Sequence, residues 1–383
     1  GDEVKQRMFQ ENEPRIAMRD VTLKIIRDEM AKSEDIAIRY ADKQARISNY
    51  WKNSIGMNKA IVDNKVVETK LAEEAAFKAW ASKLPNLMEL VTGDEMLKEY
   101  TFLFENMVES SRYLLPGKGE EIMARMQMSG GSAWSDLQQY LTSTVPVNFR
   151  GTTTNLSAIR NLAYDPDPAV RKAAYEAELA SYAKVETPMA FCLAGMKGEA
   201  MTMCEAQKYP DILSRQLTES RMDRETLDAM LTAIREALPD FRRYLRAKGQ
   251  LLGHNDGLPF YDLFAPVGEA SLRYTVEEAR ELLVSTFSKV HPEMGAFMAH
   301  AIDNRWIDFL PREGKEGGAF CAGYHQKKMC RVLTNFVGSF SDVSTLAHEL
   351  GHGWHDRCLE RVPVLMTNVP MQLAETASIF NET

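Results

Sequence analysis

The 383-residue sequence predicts a mainly α-helical protein with one small β-sheet. Three observations carry that expectation. Apolar residues recur three and four apart through most of the chain, as in EYTFLFENMVESSRYLL, which is the spacing of a helix with one buried face. Residues able to cap helices stand where such runs begin. Only residues 316 to 340 combine clustered glycine with β-branched alternation.

Composition narrows the class further. With 45% hydrophobic and 26% charged residues and no apolar run near 18 residues, the chain reads as globular, with no membrane partner. A net charge of -8 offers no basic footprint for nucleic acid. Cys192, Cys204, Cys321, Cys330 and Cys358 are odd in number and scattered without a CxxC pair, so they read as free thiols in a reducing compartment. The polar start GDEVKQRMFQENEPR has no signal-peptide pattern, and a cytoplasmic location is expected unless a signal was removed before residue 1. Oligomeric state is left open.

In chain order, residues 1–81 are rich in helix formers, and Ser33 with Asp35 predicts a break between two helices of a hairpin. A seam near AAFKAWASKLPNL leads into a helical domain over 82–265. There Val145 to Thr153 predicts a short hairpin, Asp167 with Pro168 a helix start, and Asp223 another. Tyr261, Asp262 and Pro266 in LPFYDLFAPV mark an irregular linker. The last region, 266–383, opens on a capping box of Thr275 and Glu278 and contains a strand expected over Val332 to Val337, stopping at Gly338. The 21 methionines read as core filler.

The chemistry concentrates in STLAHELGHGWHD, residues 344–356. Four residues apart on one helix face, His348 and His352 can offer both imidazoles to one cation, with Glu349 beside them as a base. A catalytic zinc takes three protein ligands and leaves a position for water. The position of a third histidine six residues past His352 is occupied by Cys358, so a carboxylate from a following helix is the better source. Glu375 stands 23 residues after His352, and Glu382, two helical turns later on the same face, can accept a hydrogen bond from a ligand imidazole. His355 lies near the same face but is read as a non-ligand.

The runs GGAFCAGYH, VLTNFVGSFSDVSTLAHELGHGWHD and NVPMQLAETASIFNE resemble the zinc half of the oligoendopeptidase F and thimet oligopeptidase family, from about residue 82 through Thr383. The resemblance implies a multi-helix zincin-type metallopeptidase fold with a small sheet beside the zinc-site helix. It implies one Zn2+ per chain held by His348, His352 and Glu375, and a zinc-bound water activated by Glu349 for hydrolysis of short unfolded oligopeptides. Gly318, Ala319 and His325 are the candidate substrate contacts, on a strand or loop able to pair with an extended peptide. Further donors to the oxyanion would, in that family, come from a region beyond Thr383. The chain is therefore expected to retain zinc, to turn over peptides poorly, and to expose apolar surface on the wall facing Glu375.

Residues 1–81 resemble a different family. EVKQRMFQENEPRIAMRD and YADKQARISNYWKNSIGMNKAI are similar to the inserted helical domain of the bacterial dipeptidyl peptidases seven and eleven, which are serine peptidases. No histidine precedes His254, so no serine triad accompanies them. Asn49 or Asn53 could touch a substrate terminus there, and Tyr50 and Trp51 read as helix packing. The join is compatible with a natural fusion, an engineered joining or a misassembled sequence. Two other functional readings stand beside the zinc peptidase: a zinc- and peptide-binding fragment without turnover, and a fragment related to serine dipeptidyl peptidases.

Overall fold

The computed structural model describes residues 19–39, 74–116, 118–268, 273–312 and 315–383. The first group of helices is α1 (19–39), α2 (74–81), α3 (Leu87–Thr92) and α4 (Thr101–Ser111). Ile26 and Met30 of α1 share one core with Phe77, Ala81, Leu87, Leu90 and Phe104, so packing runs continuously across residue 82. The expected break at Ser33 and Asp35 is absent. Instead α1 passes straight through, with Asp35 in an i,i+4 ion pair with Arg39 and Glu34 accepting the Tyr100 hydroxyl. The remainder of the expected hairpin, with Asn49, Tyr50, Trp51 and Asn53, lies outside the described residues.

The middle of the chain builds α5 (Gly119–Ser129), α6 (Gly131–Thr144), β1 (Val147–Phe149), β2 (Thr152–Thr154), α7 (Leu156–Asn161), α8 (Pro168–Tyr182), α9 (Glu186–Ala206), α10 (Ile212–Glu219) and α11 (Arg224–Leu251). The predicted hairpin forms: β1 and β2 pair antiparallel around Arg150 and Gly151, both at positive φ, as a two-residue turn with the strands' own twist requires. Asp167 and Asp223 cap α8 and α11 through the backbone N–H groups of Ala169 and Thr226. Along α11, Ile234, Leu238, Phe241 and Leu245 form an apolar stripe that stays open to solvent.

The last group is α12 (Val276–Val290), α13 (Pro292–Asp303), β3 (Ile307–Asp308), β4 (Phe320–Tyr324), β5 (Met329–Leu333), α14 (Phe340–Leu359) and α15 (Met371–Glu382). Thr275 and Glu278 make the predicted capping box, and Ser339 with Asp342 makes a second at the start of α14. The sheet runs β3-β5-β4, with β3 parallel and β4 antiparallel to β5. Regular pairing sits earlier than expected, ending at Leu333 rather than Val337, because its partner Phe320 is the first residue of β4 and Gly318, at φ 81°, turns the preceding chain away. Past Leu333, Thr334 and Phe336 still donate to the carbonyls of Asp308 and Phe309.

One core lies between these elements. Val343, Leu346, Ala347 and Leu350 of α14 pack with Val332 of β5 and with Leu283, Phe287, Met294 and Met298 of α12 and α13. That stripe, spaced three, one and three, fixes the rotation of α14. The opposite face is thereby turned outward with Ser341, Ser344, Thr345, His348 and His352 along it.

Candidate metal centre

Rotation of α14 places both imidazoles on the same side, with their ring centroids 4.9 Å apart. Helix α15 then crosses close behind them. The approach depends on Gly351: a Cβ there would stand 2.9 Å from the Cα of Ser378 and 3.0 Å from the Ala377 carbonyl oxygen, both backbone atoms that cannot move aside. Asn381 fastens the pair by donating from Nδ2 to the Ala347 carbonyl at 3.2 Å. The result brings Glu375 over the two rings, with Oε2 at 3.3 Å from His348 Nε2 and 3.6 Å from His352 Nε2.

These distances test whether the residues suit a zinc ion. Four ligands set tetrahedrally at 2.0–2.2 Å from Zn²⁺ are roughly 3.4 Å from one another. Both carboxylate-to-imidazole separations match that edge, and all three donor atoms lie within 4.8 Å of one another. Among the described residues no other such group occurs. Glu382 hydrogen-bonds His348 Nδ1, which places that ring's proton on Nδ1 and leaves the Nε2 lone pair toward Glu375 and His352. Burial pushes the His352 imidazole below its ordinary range, toward the neutral form a metal needs, with Glu375 opposing. Ser378 Oγ, 2.9 Å from Glu375 Oε2, holds the carboxylate in place.

Glu349 is 5% exposed. Burial pushes its carboxyl up to about 7; the His348 ring opposes this and the Glu375 and Glu382 carboxylates add to it. A carboxyl so balanced can accept and return a proton near neutrality. Beside it opens a cleft of about 850 Å³, lined by His348, Glu349 and Glu382 and also by Gly317, Gly318 and Ala319. His325 is not brought there. It lines a separate small pocket with Cys330, Gly353 and Asp356. Neither His355 nor Cys358 joins the donor group, and Cys358 is exposed at the end of α14.

Ser378 and Asn381 escaped the sequence reading, as did Gly351. Their signal was present as small or amide residues at helical spacing from Glu375 and His352, but it acquires meaning only once α14 and α15 are known to touch.

A HELGH helix whose imidazoles converge with a carboxylate from the next helix is the arrangement of a metallopeptidase. The profile of peptidase family M3 matches residues 161–383, and the chain belongs to that family. Over 304 residues it is 24% identical to oligopeptidase PepF of Bacillus subtilis, covering 77% of this chain and 45% of that protein. Group B oligopeptidase PepB of Streptococcus agalactiae is 26% identical over 316 residues, 78% of this chain and 52% of its own. The chain thus spans about half the length of these curated relatives. Among solved structures, PZ peptidase A with an inhibitor superimposes with a TM-score of 0.72 at 17% identity, covering 89% of this chain and 61% of that one. A Bacillus anthracis protein assigned as oligoendopeptidase F gives 0.72 at 15% identity, with 86% and 60% covered. The N-terminal part matches elsewhere: the profile of peptidase S46 covers residues 2–118, and dipeptidyl-peptidase 7 of Phocaeicola vulgatus is 58% identical over 84 residues, 22% of this chain and 12% of that protein. Among the described residues, no helix is long and apolar enough to cross a membrane.

Proposed function

We propose that the site is that of a zinc-dependent endopeptidase acting on short unfolded oligopeptides. The observation that carries this reading is the placement of Glu375 Oε2 at tetrahedral-edge distance from both Nε2 atoms. His348, His352 and Glu375 would hold the ion, which when bound polarises a peptide carbonyl and acidifies a water. Glu349 takes the water's proton and hands it to the leaving amine; its burial keeps competing solvent away from the exchange. Gly318 and Ala319, in the cleft lining, offer main-chain groups to an extended substrate. The free state of all five cysteines supports a reducing, cytoplasmic setting.

Met371, Leu373, Ile379 and Phe380 of α15, the helix that carries Glu375, are each more than half exposed.

Paired substitutions test the assignment. Glu349→Gln should retain zinc while cleavage of a quenched fluorescent oligopeptide falls about 100-fold or more; His348→Ala should lose the metal. Equal loss of zinc from both variants would make Glu349 a structural residue, and turnover insensitive to chelation would remove the metallopeptidase reading altogether.

A further inference from the structure

The cleft continues well beyond the metal-binding residues. One wall is the outward face of α14, with Ser341, Ser344 and Thr345 leading away from His348; the other is α8 and the turn over residues 260–264. At the far end the Tyr164 hydroxyl lies 3.4 Å from Ser341 Oγ, which ties that wall to α14. Aromatic rings gather there. Tyr164 and Phe264 have centroids 5.3 Å apart, and Tyr175 and Phe260 5.8 Å.

Two of these rings are unusually open for apolar groups, with Phe260 67% and Phe264 47% exposed. They nonetheless stand on a rigid support. Asp262, between them, is 1% exposed and takes Arg171 Nε at 2.8 Å and His254 Nε2 at 2.6 Å. Arg171 also donates to the carbonyls of Asp165 and Pro166. The desolvation cost of a buried ion pair is large. Here it holds a short turn so that two phenyl rings face the cleft and leave apolar area for a ligand to cover. The charged pair in the same cleft, Arg160 and Glu178, is joined at 2.7 Å and so is turned toward itself rather than toward a ligand charge.

We propose that Tyr164, Tyr175, Phe260 and Phe264 form a subsite for one large apolar or aromatic side chain of the peptide. Seven residues of α14 separate Ser341 from His348, about 10 Å of helical rise. An extended peptide advances roughly 3.3 Å per residue, so the side chain belongs about three residues from the bond that Glu349 serves. The inference rests on the peptidase reading of the metal site.

Peptidyl hydroxamates test it without any need for turnover, because the hydroxamate anchors one end at zinc. Two series, with that group at the amino or the carboxyl end, would carry a single Phe or Ser moved one position at a time, and affinity for the zinc-loaded protein would be measured by calorimetry. The expected result is a Phe-over-Ser advantage of about 10-fold or more, peaking near the third residue in one series. The double variant Phe260→Ala, Phe264→Ala should flatten that peak while zinc stoichiometry and melting temperature show an intact protein. Hydroxamates that bind with no Phe preference, or with a preference the double variant keeps, overturn the subsite and leave the peptidase reading standing. If no hydroxamate binds the zinc-loaded protein, both fall.

Discussion

Asp356 shows how much a single half-buried group can bear on the protein as a whole. It lies one turn past His352 on α14, under Gly323 of β4, where a Cβ would come within 2.1 Å of its carboxylate. Burial pushes its carboxyl from 3.8 up to about 6. The folded chain therefore holds this proton more tightly than the unfolded one, so stability falls as pH rises from about 4 through 6, and the loss stands complete above 6 at up to about 3 kcal/mol. In Asp356→Asn this contribution should vanish, leaving that of Glu349, whose carboxyl is raised as well. Urea unfolding of both proteins in chelator at pH 4 and pH 7 checks it; a stability difference that stays constant across the window would contradict the argument. At this scale the pairing of His348 with His352 was legible because helix periodicity sets it, whereas Glu375 was read from its place on a following helix. Asp356 and Asp262 were not, since only the strand or turn packed against each makes it matter.

The pairing of α14 with α15 is where the site is made or lost. Gly351→Ala puts a methyl group against the backbone at Ser378 and Ala377, and overpacking of this kind costs roughly 1–3 kcal/mol. More telling is the expected effect on zinc. Displacing α15 moves Glu375 off the two imidazoles, so affinity in a competition titration should drop by at least about tenfold while α14 stays helical; unchanged affinity would show that α15 can back away without carrying Glu375 with it. Three helix starts were readable from Asp167, Asp223 and Thr275, since capping is a local hydrogen bond. The strand bounds were misjudged for the complementary reason: Gly318 acts from a distance in sequence. Strand β3, two residues long, carries no pattern of its own and exists through its partner β5.

For the whole molecule, an ion held by His348, His352 and Glu375 would be coupled to the fold by mass action. A ligand that binds only the folded chain stabilises it by about 2.7 kcal/mol at a hundredfold excess over its dissociation constant. Chelation should accordingly lower the melting temperature by several degrees, and His348→Ala should melt where the chelated protein does, with no further response to zinc. Identical melting with and without zinc would mean that the ion is not held by the native arrangement. The turn between the two metal-site helices also reaches the N-terminal core, where Leu365 and Met366 pack among residues from α1 to α4. Matches to two peptidase families therefore meet in one packed body.

The spacing of the donors has a consequence in the language of polymer chains. His348, His352 and Glu375 fall within 28 consecutive residues, and the stretch from His352 to Glu375 closes a ring of only 23 links. Ring closure costs free energy only as the logarithm of length, and a ring this small is inexpensive to shut even when little else is ordered. Zinc would act on this segment as a reversible clasp, gathering α14 and α15 before slower, longer-range contacts have formed.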